Sequence, residues 1–211
     1  MEISKELATY LLQSKAIIID PANPFTWTSG WQSPIYCDNR KTLSYPRIRQ
    51  FIRDSFVQQI RDHFDKPDMI AGVATGAIGH AALVAEKMGL PFIYIRSSQK
   101  SHGTGNLIEG DPSQGKSAVI IEDLVSTGGS SLKAAGALRD AGLEVIGMLA
   151  IFTYGFPVAV DNFRNAGLRL EALCNYNTLI KEAVQTGFIP SESLETLSQW
   201  REDPGKWKPI S

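Results

Sequence analysis

Residues 118–135, AVIIEDLVSTGGSSLKAA, run four apolar side chains into two adjacent carboxylates, Glu122 and Asp123. Leu124 and Val125 separate these acids from Ser126, Thr127, Gly128, Gly129, Ser130 and Ser131, after which a helical pattern begins. Glycine permits backbone torsions that side chains forbid, so successive N–H groups can converge on an anion. A helix start adds unpaired donors and a partial positive charge, which together favour a phosphate. Carboxylates beside a phosphate would repel it unless they face another part of the same ligand. Ionised carboxylates only accept hydrogen bonds, and vicinal sugar hydroxyls donate them. The pattern therefore suits a phosphorylated sugar, with phosphate over the glycines and hydroxyls on Glu122 and Asp123. The same acids can stabilise positive charge developing on the sugar. No Lys-Ser/Thr pair follows the glycines and no G-x-G-x-x-G is present here, so neither a Walker loop nor a dinucleotide fingerprint is indicated.

Such a site needs a strand before it and a helix after it. Short β-branched runs predict strands at 16–20, 34–37, 69–73, 92–95, 118–122 and 144–152. Ile48, Phe51, Ile52, Phe56 and Ile60 recur at helical spacing. HAALVAEKMG, after Gly79, predicts a helix closed by Gly89, with Pro91 beyond. SSLKAAGALRDAG predicts a helix with serine N-cap candidates and a stop at Gly142. Strands alternating with helices imply a doubly covered, mostly parallel sheet, an α/β fold, and uninterrupted AVII fits burial on both faces. Ligands bind beyond the carboxyl ends of such strands, where residues 122–131 fall. The 211 residues read as one domain, with about 1–40 forming a small hood and the tail a terminal helix with an irregular end.

The chain's 43% hydrophobic and 20% charged residues are ordinary for a globular protein. A net charge of -1 gives no electrostatic reason to expect a nucleic-acid partner. The longest apolar runs are about eight residues, against the roughly 20 that span a bilayer. The first residues, MEISKELATYLLQS, read as an amphipathic helix without a signal-peptide core, and no membrane association is expected. Cys37 and Cys174 form neither a ligand pattern nor a disulfide framework, as expected of reduced thiols in the cytoplasm.

Other segments offer chemistry of their own. Residues 96–112 lack apolar periodicity and hold Gly103, Gly105 and Gly110, so they read as a long exposed loop. Arg96, Lys100 and His102 place three cationic or donor groups in it. AGVATGAIGH, at 71–80, reads either as a second anion-binding turn or as tight helix–sheet packing. In 25–40, Phe25, Trp27, Trp31 and Tyr36 lie among Thr26, Thr28, Ser29 and Ser33. They can wall a planar ring, although on their own they read more readily as a small core with turn residues.

VIIEDLVSTGGS resembles the sugar-diphosphate motif of the type I phosphoribosyltransferases, which bind phosphoribosyl pyrophosphate (PRPP). FTWTSGWQSPIYCDNR is similar to the N-terminal signature of the orotate phosphoribosyltransferases, and RSSQKSHGTGNLIEG to their mobile loop. The resemblance runs from about residue 20 to about 155. It implies transfer of a phosphoribosyl group from PRPP to orotate, giving orotidine 5′-monophosphate and diphosphate on the route to UMP. It implies Mg²⁺ held through PRPP phosphates and ribose hydroxyls, and a homodimer sharing loop 96–112 across its interface. By resemblance, Arg96, Lys100 and His102 meet the diphosphate, residues 122–130 meet PRPP, and Lys100, His102 and Asp123 contribute to catalysis. Ser126, Thr28 and Tyr36 are the orotate candidates. Family lysines at the positions of Gly76 and Thr28, and an arginine past the strand ending in IFTYGF, are lacking here. A phosphoribosyltransferase for another base, or a PRPP-sensing regulator that binds nucleic acid, remain the alternative expectations.

Overall fold

The computed structural model describes residues 2–27, 29–98 and 107–209. In chain order the elements are α1 (Glu2–Gln13), β1 (Ile17–Ile19), β2 (Phe25–Thr26), β3 (Gln32–Ser33), β4 (Ile35–Cys37) and a 3-10 helix (Asn39–Ser44). Next come α2 (Pro46–His63), β5 (Met69–Val73), α3 (Ile78–Met88), β6 (Phe92–Ile95) and β7 (Ile108–Glu109). The chain continues with β8 (Ser117–Val125), α4 (Gly129–Asp140), β9 (Glu144–Thr153), α5 (Pro157–Asn165), β10 (Leu170–Asn175), α6 (Tyr176–Gln185) and α7 (Ser193–Glu202).

Six strands form one sheet in the order β10-β9-β8-β5-β6-β7, and every neighbouring pair runs parallel except β6 with β7. Alternation along β8 fills both faces. Val119 and Ile121 join a core shared with α1, α2, α3, α6 and α7. Ala118 and Ile120 join the opposite core, beneath Ala134 and Leu138 of α4 and Phe163 of α5. Covered faces explain why a strand can be apolar without interruption. The α3 helix ends as expected: Gly89 adopts φ 68°, and the Gly89 and Leu90 amides bond back to Glu86 and Ala85 carbonyls.

Two expectations are corrected. Serine does not cap α4; Gly128 does, at φ 85°, with no side-chain cap bond. The 96–112 loop is not irregular throughout, because Ile108 and Glu109 pair antiparallel with Tyr94 and Ile95, and Ile108 is buried. The strands at 16–20 and 34–37 stand outside the main sheet and pair with each other, Ile17 opposite Cys37. The sixth strand, β10, and helices α5 and α6 were not expected from sequence, although α6 buries Tyr176, Leu179, Ile180 and Ala183 at helical spacing. Among the described residues no helix is long and apolar enough to cross a membrane.

Candidate active site

Following β5 the chain crosses to β6 on one side of the sheet, and following β8 it crosses to β9 on the other. The carboxyl ends of β5 and β8 therefore flank a topological switch point, where α/β sheets open a crevice. The pleat of β8 divides its two acids between the faces. Glu122 turns toward α4, where its Oε2 accepts from Ser131 Oγ at 2.8 Å and its Oε1 from the Asp123 amide at 3.0 Å. Asp123 turns toward the β5–α3 turn and lies so close over Gly76 that a Cβ there would fall on its carboxylate. The acid thus lies over the backbone of Gly76 and would have to turn aside for a side chain to stand there. Asn39 Nδ2 donates to the Asp123 carbonyl at 2.5 Å, and Thr42 links the Asn39 carbonyl to the His80 ring on α3. The strand end and the neighbouring helix are tied through this chain.

Burial, and then the negative charge of Asp123, push the Glu122 carboxyl up to about 8. Burial also raises Asp123. Both acids therefore hold their protons more tightly than ordinary carboxylates. The distinction between them is depth: Glu122 is 4% exposed, while Asp123 is partly open.

Leu124 and Val125 complete β8, and the segment from Ser126 to Ser130 turns into α4. The turn is fastened from below, since Val125 O accepts from the Tyr154 amide and Thr153 Oγ1, and Thr127 O accepts from Asn162 Nδ2. A Cβ on Gly128 would stand 2.7 Å from Phe163 Cε2, so both torsion and space require glycine there. A Cβ on Gly129 would meet nothing within 4 Å, which leaves the helix mouth open to a ligand. The twelve-residue α4 helix brings its free amides and dipole to that mouth.

Arg96 closes the stem of the long loop: its amide donates to Leu107 O at 2.8 Å, and its Nη1 lies 3.4 Å from Glu109 Oε1. Lys133 of α4 reaches Ser97 O at 3.5 Å. Thr28, Lys100 and His102 lie outside the described residues.

Between the β2–β3 hairpin and the β8–α4 turn lies a cavity of about 430 Å³, a size that suits small-molecule ligands. Trp27, Trp31 and Tyr36 wall one side, and Leu124, Ser126 and Thr127 the other. Tyr154, just past β9, also lines it, and sequence reasoning did not pick it. A strand carboxyl end is the signal that marks such a residue. A second space of about 480 Å³ lies between α6 and α7, but none of the residues singled out from sequence lines it. The chemistry converges on the first.

Residues 43–172 match the family described as "Phosphoribosyl transferase domain". A protein of Cytophaga hutchinsonii named orotate phosphoribosyltransferase is 52% identical over 208 residues, covering 99% of this chain and 100% of that one. The structure of Leishmania donovani UMP synthase matches with TM-score 0.78 and 31% identity over 93% of this chain and 42% of that one. An orotate phosphoribosyltransferase structure from Aeropyrum pernix matches with TM-score 0.75 and 28% identity, covering 87% and 99%.

Proposed function

The chain belongs to the orotate phosphoribosyltransferase family, and we propose that residues 122–130 hold PRPP while the 430 Å³ cavity takes orotate. The observation that carries this reading is the shared border of the two sites: Ser126 and Thr127 belong to the anion-binding turn and also line the cavity. A sugar phosphate on the turn would thus present its anomeric carbon to a planar ring in the cavity.

The transfer forms a bond from the pyrimidine nitrogen of the orotate anion to that carbon. The carbon–diphosphate bond breaks, and its electron pair leaves with the diphosphate. The amides of 127–130 and the α4 terminus hold the 5′-phosphate. Asp123 accepts from the ribose hydroxyls, and its charge opposes the positive charge developing on the sugar. Glu122 is the second acceptor proposed for the ribose hydroxyls. Ser126, Thr28 and Tyr36 are assigned to the base. Arg96, Lys100 and His102 are assigned to the departing diphosphate, with Lys100 and His102 contributing most to catalysis beside Asp123. Closure of their loop would exclude the water that competes for the activated sugar.

Mg²⁺ fits this donor set. No group of three or more potential ligands is present among the described residues, but Mg²⁺ is commonly held by one or two carboxylates and substrate phosphates. When bound, Mg²⁺ would be held mainly through PRPP phosphates and ribose hydroxyls, beside Asp123, and would neutralise diphosphate charge. The unpaired thiols of Cys37 and Cys174 support a reducing, cytoplasmic setting. A homodimer sharing loop 96–112 is carried from the family resemblance.

The test is ultraviolet absorbance of orotate with purified protein. Orotate is expected to be consumed when PRPP and Mg²⁺ are both present, and persistence of its absorbance would end the reading. The same preparation is expected to sediment at twice the chain mass; a single-chain mass would remove the shared loop.

A further inference from the structure

Tyr154 is 1% exposed and lines the base cavity; no hydrogen bond to its hydroxyl is seen among the described residues, and that oxygen is not among the side-chain atoms wholly shut off from solvent, so it opens on a space. A ligand reaching that hydroxyl would meet a donor that no described protein group occupies. The ring is also held on several sides. Phe156 stacks on it at 5.3 Å with planes 10° apart, Phe152 meets it edge-on at 5.2 Å, and Trp27 lies 5.1 Å away. Trp200 of α7 completes the enclosure at 5.7 Å.

The backbone is fixed as firmly. Arg201 Nε donates to Tyr154 O at 3.1 Å and Nη2 to Gly155 O at 2.9 Å, while the Tyr154 amide donates to Val125 O. Trp200 Nε1 donates to Gln32 O at 3.1 Å, which pins the β2–β3 hairpin against the same cluster. Residues near the end of the chain therefore set the back wall of a pocket whose front wall comes from its beginning. An unpartnered donor on an immobilised ring loses little conformational freedom when it binds. Burial raises its pKa well above the ordinary tyrosine value, so the hydroxyl remains a donor at neutral pH.

We infer that the Tyr154 hydroxyl is a specificity-determining contact to the nucleobase, donating to an acceptor oxygen at the edge of orotate, with Arg201 and Trp200 as its positioning residues. The inference rests on the proposal that this cavity holds the base. A pyrimidine with carbonyl and carboxylate oxygens offers the acceptor that the phenol lacks. Selectivity follows, since a base presenting no oxygen there would leave the phenol unpaired.

Tyr154→Phe removes one oxygen that bonds to nothing in the free protein, so the fold and its melting temperature should be retained. Calorimetry compares the variant and wild type with orotidine 5′-monophosphate and with ribose 5-phosphate, which lacks the base. The expected result is roughly 10-fold weaker binding of the nucleotide, the scale of one lost hydrogen bond, with ribose 5-phosphate unchanged. The orotate KM should rise in parallel while the PRPP KM stays. Unchanged nucleotide affinity, or equal loss for both ligands, would overturn the inference. If wild-type protein binds the nucleotide no better than ribose 5-phosphate, the cavity is not a base site and the underlying proposal fails with it.

Discussion

Adjacent acids can have different jobs when a strand separates them. The order Glu122-Asp123 was legible, and so was its place at a strand's carboxyl end. Their different burial was not, because it depends on Ser131 from α4 receiving one and Gly76 receding beneath the other. Gly76 shows the same limit: by sequence it is merely a small residue in a turn, and only the fold shows the Asp123 carboxylate lying over it. The raised Glu122 value carries a pH prediction. An ordinary glutamate near 4.5 that folds to about 8 binds its proton more tightly in the folded state. Its contribution to stability is therefore full below the ordinary carboxylate range and is lost as pH rises through about 8. Thermal melts of ligand-free wild type and Glu122→Gln, taken from about pH 5 to about pH 9, should show wild type losing stability relative to the variant as pH rises. A difference independent of pH would contradict the assignment.

Elements carried the clearest signals where period and punctuation agreed. The apolar runs at 69–73 and 92–95 became strands with those bounds, and Gly89 closed α3. Signals failed where a residue's role depended on tertiary space. Ser130 and Ser131 have the right chemistry for a cap, but they fall inside the first turn of α4, and Gly128 takes the cap position against Phe163. Ile108 and Glu109 join the sheet edge because β6 offers them a partner, which no local pattern announces. Gly128→Ala should lower stability by about 1–3 kcal/mol, the cost of holding a side chain in the left-handed region. The displaced amides should raise the PRPP KM and leave the orotate KM near its wild-type value. Melting and steady-state kinetics check both, and an alanine variant with wild-type PRPP KM would show that the turn does not hold the phosphate.

At the scale of the whole molecule, the half of the site proposed for the anion is continuous in sequence and the half proposed for the base is not. Residues 122–130 could be read as a unit because one strand, one turn and one helix start build them. The cavity draws on the β2–β3 hairpin, the end of β9 and, behind them, Trp200 and Arg201, so its walls meet only after folding. The motif resemblance ran from about residue 20 to 155, whereas the Cytophaga hutchinsonii relative aligns over 99% of the chain and takes in the C-terminal helix. A crystal structure with PRPP and Mg²⁺ bound tests the central claim most directly. The 5′-phosphate is predicted to sit within hydrogen-bond distance of the amides of 127–130, with a ribose hydroxyl on Asp123. A phosphate bound away from that turn, or an Asp123 carboxylate facing away from the sugar, would contradict the account.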